Sequence, residues 1–190
     1  MPTRGNHDGG PNYKEIFDIL PEQPDWYTTR IGKDVAMVTL DTNVPGGGDQ
    51  SQWLESQLQE LRPQSKWLLT QYHRPLYPAV KSAPAHQKIF CPLFDKYNVD
   101  LACEADGHCI KRTIPIRGNK ADPTGVTYIG EGGLGVGQRK PDVSRWFMKG
   151  GVSGSEHHIM LLSFSEQNLR IQTILLDGKI FDDHQLKRRK

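Results

Sequence analysis

Trp67-Leu68-Leu69-Thr70-Gln71-Tyr72-His73-Arg74-Pro75 is a mostly apolar, β-favouring run that leads straight into a histidine, an arginine and a proline. Its length and composition predict a buried strand, with the polar group placed just beyond its carboxyl end. Two other segments share the layout. Residues 35–40 form a short apolar run, rich in β-branched residues, that ends at Asp41-Thr42-Asn43, and residues 99–103 form another that ends near Asp106-Gly107-His108. Between the first two lie Gly46-Gly47-Gly48 and then Asp49, which predicts an N-cap for a helix over about 50–61. Trp53, Leu54, Leu58 and Leu61 share one face of that helix, and Pro63 predicts its end. A second helix is expected over 86–97, kinked or late-starting because of Pro92, and a further strand over 127–129.

The end of the sequence changes character. Residues 159–164 and 169–176 read as paired strands, and Asp177-Gly178 is a two-residue hairpin signal leading into 179–186. Strand–helix alternation followed by a meander predicts an α/β fold of layered sheets flanked by helices, in a single domain over 1–190.

Composition narrows the function. Of 190 residues, 36% are hydrophobic and 24% charged, which fits a globular chain, and a formal net charge of +2 gives no reason to expect nucleic acid. The basic tail Lys187-Arg188-Arg189-Lys190 is expected to be solvated. Cys91, Cys103 and Cys109 form neither a disulfide framework nor a Cys-x-x-Cys pair. No apolar run reaches the ~20 residues of a membrane span, so no membrane partner is expected. The opening Met1-Pro2-Thr3-Arg4-Gly5 has no apolar stretch behind it and is not read as a secretory signal, which leaves localisation open.

Three histidines sit at comparable places: His7 in the opening loop, His73 after one strand and His108 after another. Ligands in α/β folds gather beyond the carboxyl ends of strands. Two imidazoles and the amide oxygen of Asn6 therefore make a candidate ligand set for zinc, iron or manganese. The alternative is three histidines in ordinary loop hydrogen bonds.

The words around these residues decide between the two. Gly5-Asn6-His7-Asp8, then Tyr72-His73-Arg74-Pro75-Leu76-Tyr77, then Asp106-Gly107-His108 with Arg112-Thr113-Ile114-Pro115, in that order, resemble the calcineurin-like metallophosphoesterases, their purple acid phosphatase branch in particular. Leu40-Asp41-Thr42 and Asp49-Gln50-Ser51-Gln52-Trp53-Leu54 fit the same pattern. The resemblance covers essentially the whole chain and implies hydrolysis of phosphate mono- or diesters by a metal-activated hydroxide. It implies Asn6, His73 and His108 as ligands of the second of two metals (Zn, Fe or Mn). It also has Asn6 touch the phosphate, gives His7 to the phosphate and the leaving oxygen, and gives Asp8 to holding the loop. Arg74 is the first candidate for a substrate contact, with Lys111 and Arg112 behind it. Members of this branch are often exported.

Two departures bear on the first metal. The family's Asp-x-His and Gly-Asp words would lie upstream of Gly5, where only four residues stand, so the chain reads as the C-terminal two-thirds of the fold with the first strands and helix missing. The third word usually continues Gly-His-x-His, whereas here Ile110 holds the last place and Cys109 precedes it. The expected site therefore has an incomplete first-metal half and three neutral ligands, and the chain alone is expected to have doubtful activity. Two alternatives follow: a non-catalytic relative that binds a partner or phosphorylated ligand, and a fragment that completes its sheet through an exposed edge with a second copy.

Gly130-Glu131-Gly132-Gly133-Leu134-Gly135 matches a dinucleotide fingerprint in letters, but Gly137-Gln138-Arg139-Lys140-Pro141 is a poor helix start, so a turn-rich loop is expected. His157 and His158 face opposite sides of a strand and are read as structural. His86 and His184 are read as surface residues, and Cys109 as a small half-buried one.

Overall fold

The structure, a computed structural model, describes residues 1–9, 11–17 and 24–189. The elements run α1 (Pro11–Ile16), β1 (Tyr27–Ile31), β2 (Val35–Thr39), α2 (Asp49–Gln64), β3 (Trp67–Tyr72), α3 (Gln87–Lys96), β4 (Leu101–Glu104), β5 (Ile110–Arg112), β6 (Ile116–Arg117), β7 (Lys120–Ala121) and β8 (Thr127–Gly130). A 3-10 turn (Trp146–Met148), β9 (Val152–Gly154), β10 (His158–Phe164), β11 (Asn168–Leu175) and β12 (Ile180–Lys187) complete them. Seven strands form one sheet in the order β1-β2-β3-β4-β8-β5-β9, and β10-β11-β12 form a second.

The central strands β2, β3, β4 and β8 are parallel, with antiparallel neighbours at both margins. A parallel strand covered on both faces reads as a continuous apolar run, which is why β2 and β3 are the plainest strands in the sequence. The alternation of side chains sorts the core into two layers. Ala36, Val38, Leu68, Tyr72 and Ala102 face α2 and α3, where Leu54, Leu58, Phe90 and Phe94 are fully buried. Val35, Met37, Trp67, Leu69 and Leu101 face the second sheet and meet Leu169 and Ile171. The Trp67 indole N–H ties the two sheets by donating to the Ser165 carbonyl at 2.9 Å.

The expected α/β layers are present, with four corrections of detail. Helix α2 begins at Asp49 rather than after it, with Gly48 as N-cap at φ 70°, a left-handed conformation that glycine adopts freely. The Gln50 amide fixes its first turn to the end of β2: the oxygen accepts the Asp41 N–H at 2.8 Å and the nitrogen donates to the Asp41 carbonyl at 3.0 Å. Pro63 does not end the helix. Gln64 continues it, and the Arg62 guanidinium satisfies the carbonyls of Ser65 and Lys66 beyond. The basic tail is not simply solvated: Arg189 folds back onto the carbonyls of Thr124, Val99 and Gly125, and Lys190 lies outside the described residues. His86 and His184 are half-buried rather than on the surface, and the His86 ring Nε2–H donates to the Val44 carbonyl at 2.7 Å.

One polar cluster sits inside the apolar layers. The side chains of Lys111, Glu104 and Glu131 have no solvent exposure. The ammonium pairs with Glu104, lies 2.6 Å from Glu131 and donates to the Tyr77 carbonyl at 2.8 Å. Lys111 therefore cannot meet a substrate. Burial alone disfavours its charge, but the two carboxylates outweigh that and hold its pKa above the ordinary value. Replacing Lys111 by methionine strands two buried carboxylates, so the variant is expected to lose about 3–5 kcal/mol of stability, a fall of roughly 6–20 °C in melting temperature. A calorimetric melt of wild type beside Lys111→Met checks this, and an unchanged melt contradicts it.

Candidate metal centre

The opening segment crosses the carboxyl ends of β2 and β3. The Gln71 amide donates to the Met1 carbonyl at 3.2 Å, Tyr27 Oη–H to the Pro2 carbonyl at 2.6 Å, and Asn43 Nδ2–H to the Arg4 carbonyl at 3.1 Å. The turn that follows is closed by Asp8. Its Oδ2 accepts the Gly5 N–H at 2.7 Å, and its own N–H donates to the Gly5 carbonyl at 3.2 Å. Gly5 lies against His73: a Cβ there would stand 3.2 Å from Cε1 of that ring. The turn thereby sets Asn6 beside the end of β3.

There the side chains meet. His73 Nε2 lies 2.8 Å from Asn6 Oδ1 and 3.5 Å from Asp106 Oδ1. Asp106 Oδ1 also receives Lys81 Nζ at 2.5 Å. Three segments distant in sequence thus bring one nitrogen and two oxygens to a point. Ligands about 2.1 Å from one ion stand roughly 3.0–3.4 Å from each other in octahedral or tetrahedral arrangements. The separations of 2.8 and 3.5 Å fall just below and just above that range, so seating a cation takes small shifts of these side chains. No group of three or more His, Cys, Asp or Glu is arranged to hold a metal among the described residues. The amide oxygen of Asn6 supplies the third donor here.

Asp106 was not among the residues the sequence singled out. Burial pushes its carboxyl up, but Lys81, His73 and Arg74 together hold it below the ordinary carboxylate range, so it is ionised. The site accordingly gains the negative charge that a set of three neutral ligands lacks. Burial keeps His73 below the ordinary imidazole pKa, and burial with the nearby Arg139 guanidinium does the same for His108, which favours the neutral, ligand-competent ring in both.

His108 stands two residues beyond Asp106. Its N–H donates to the Glu131 carbonyl at 2.6 Å, and its carbonyl accepts the Arg139 N–H at 2.8 Å. Its ring makes no hydrogen bond to Asn6 or His73 among the described residues. Asp106 and His108 take φ of 65° and 58°, a left-handed backbone uncommon for side-chain-bearing residues and found at ligand sites. The loop keeps that shape through Glu131, whose N–H donates to the Cys109 carbonyl at 2.7 Å. His7 is exposed in the opening turn, and Arg74 is exposed beside His73, its N–H held by Thr42 Oγ1 at 2.8 Å. Arg112 is committed elsewhere, forked onto Asp182 at 2.6 and 3.0 Å. Cys109 is fully buried, and burial pushes its thiol up to about 12, so it supplies no thiolate. The glycine-rich stretch after β8 runs as a loop, with no helix to receive a dinucleotide.

A cavity of about 690 Å³ lies away from these groups, at the amino ends of β3 and β4, lined by Arg62, Asn98, Arg117 and Arg189 among others. The guanidiniums of Arg62, Arg117 and Arg189 are engaged by main-chain carbonyls there.

The model of the calcineurin-like phosphoesterase family matches residues 1–109. No curated protein sequence matches the chain. Among solved structures, the chain is similar to a purple acid phosphatase from yellow lupin (Lupinus luteus) seeds, with a TM-score of 0.82 and 21% identity over 97% of this chain. It is also similar to GAP50, the anchor in the inner membrane complex of Plasmodium, at TM-score 0.72 and 16% identity over 90%, and to PhoD at 0.59 and 10% over 92%. The chain spans 37%, 56% and 45% of those three chains, respectively.

Gly107 tests how the loop is held. A Cβ added there would fall 1.6 Å from Glu131 Oε2, deep inside van der Waals contact. Gly107→Ala is expected to cost about 1–3 kcal/mol through this overpacking and to displace Asp106 and His108. Thermal melting and the amide shifts of residues 105–109 read out both effects, and a variant unchanged in both refutes the packing argument.

Proposed function

The chain belongs to the calcineurin-like phosphoesterase family, and on that ground we propose that it binds one divalent or trivalent metal ion at Asn6, His73 and His108 and hydrolyses phosphate mono- or diesters there. The observation that carries this reading is the convergence of His73 Nε2 with Asn6 Oδ1 at 2.8 Å and with Asp106 Oδ1 at 3.5 Å, at the carboxyl ends of β3 and β4. When bound, the ion would screen the anionic phosphate oxygens and make water a better nucleophile.

The chain's own residues do the rest. His7, next to Asn6 in the same turn, gives its proton to the departing alkoxide. Asp8 closes that turn through the Gly5 N–H and keeps His7 and Asn6 in register. Arg74, exposed on the same rim, meets the non-bridging phosphate oxygens. Zinc, iron and manganese all suit the mixture of imidazole and oxygen donors.

A second reading is favoured by one contact. Lys81 already neutralises the Asp106 oxygen that faces His73, and the Plasmodium anchor protein shares the fold. On that reading the chain is a non-catalytic relative.

Hydrolysis of p-nitrophenyl phosphate, bis-(p-nitrophenyl) phosphate and an alkyl phosphate, each with added manganese or zinc, separates the readings. The hydrolase reading expects turnover that a chelator abolishes and that His73→Ala removes. His7→Ala should cost roughly 10²–10⁴-fold on the alkyl ester and much less on p-nitrophenyl phosphate, whose leaving group needs no proton. Absence of turnover on all three, with the metal bound, assigns the chain to the non-catalytic reading.

A further inference from the structure

The pairing of Lys81 with Asp106 places a cation against the very oxygen that faces the His73 ring. The Lys81 side chain is 39% exposed, whereas that of Asp106 is 11% exposed. An ammonium on a four-carbon stem is a mobile point charge, and a half-exposed one can swing into solvent at small cost. The Asp106 backbone, by contrast, is held: its carbonyl accepts from the Arg139 guanidinium at 3.3 Å, and the neighbouring Gly107 N–H donates to the Ala105 carbonyl at 2.8 Å.

We propose that Asp106 is the charged ligand of this metal centre and that Lys81 is its resident counter-cation, which an incoming divalent ion displaces. The inference rests on the metal-binding reading given above. A divalent ion beside Asp106 Oδ1 and the ammonium 2.5 Å from the same oxygen repel one another. One must therefore leave, so metal affinity contains a competition term set by Lys81. The device keeps the carboxylate neutralised while the ion is away and makes binding weaker than the donor set alone would give.

Titration calorimetry of the full chain with zinc or manganese alone tests this, comparing wild type with Lys81→Gln, Asp106→Asn, the double variant and His73→Ala. The expected results are about twofold to fivefold tighter binding in Lys81→Gln, the worth of a partly exposed ion pair, and at least tenfold weaker binding in Asp106→Asn. In the Asp106→Asn background, Lys81→Gln should change nothing further, since the lysine acts only through that carboxylate. A general structural role for Lys81 would alter the melting temperature without this coupling. If wild type binds through His73 but both single variants match it, the inference is overturned while the metal reading stands. If neither wild type nor Lys81→Gln binds an ion, both are overturned.

Discussion

The buried ammonium of Lys111 between Glu104 and Glu131 is the interaction on which the rest of the site depends. It joins four pieces of chain: the ends of β4 and β8, strand β5 and the stretch at Tyr77. Glu104, at the end of β4, also accepts the Tyr72 hydroxyl at 2.8 Å and the Leu76 N–H at 2.6 Å, which fixes the turn just after His73. Glu131, at the end of β8, accepts the Ala79 N–H at 2.6 Å and so orients the stretch that leads to Lys81. Its backbone holds both sides of His108. Charges taken this far out of water are tolerated only when each is paired and hydrogen-bonded, which confines the neighbouring loops to one arrangement.

Above that base the site is an electrostatic balance at the surface. Asn6 and His73 bring neutral donors and Asp106 brings a charge, while Lys81 offsets that charge from a side chain free to move. The same pairing of lysine with carboxylate thus serves two purposes in one fold. Buried at Lys111, it locks the loops in place. Partly exposed at Lys81, it leaves a carboxylate able to exchange one cation for another.

The elements legible in the sequence were those with a strong physical reason to show a pattern. The strand over Trp67–Tyr72 is covered on both faces and reads as a continuous apolar run. The hairpin after β11 is signalled by Asp177-Gly178, with Gly178 at φ 83°. Strand β1, by contrast, is a half-buried margin strand with the sequence Tyr-Thr-Thr-Arg-Ile, and β5 carries a lysine and an arginine in three residues. Neither has an apolar period to detect, because β1 is partly solvated and β5 is three residues long with two of them charged. At the site, Asn6 and His73 stand in words whose order marks the family. Lys81 comes from a loop with no pattern, and Glu131 lies in a run of glycines that looks like a plain turn. Their partners are Asp106 and Lys111, 25 and 20 residues away, and only the folded chain shows those pairings.

The most direct test of the account is the anomalous difference density, at the zinc absorption edge, of crystals of the chain grown with zinc. The expected result is one peak within about 2.0–2.2 Å of His73 Nε2, Asn6 Oδ1, a ring nitrogen of His108 and Asp106 Oδ1, with the Lys81 ammonium withdrawn from the carboxylate. A peak located elsewhere, or no peak while Lys81 keeps its contact with Asp106, would contradict it.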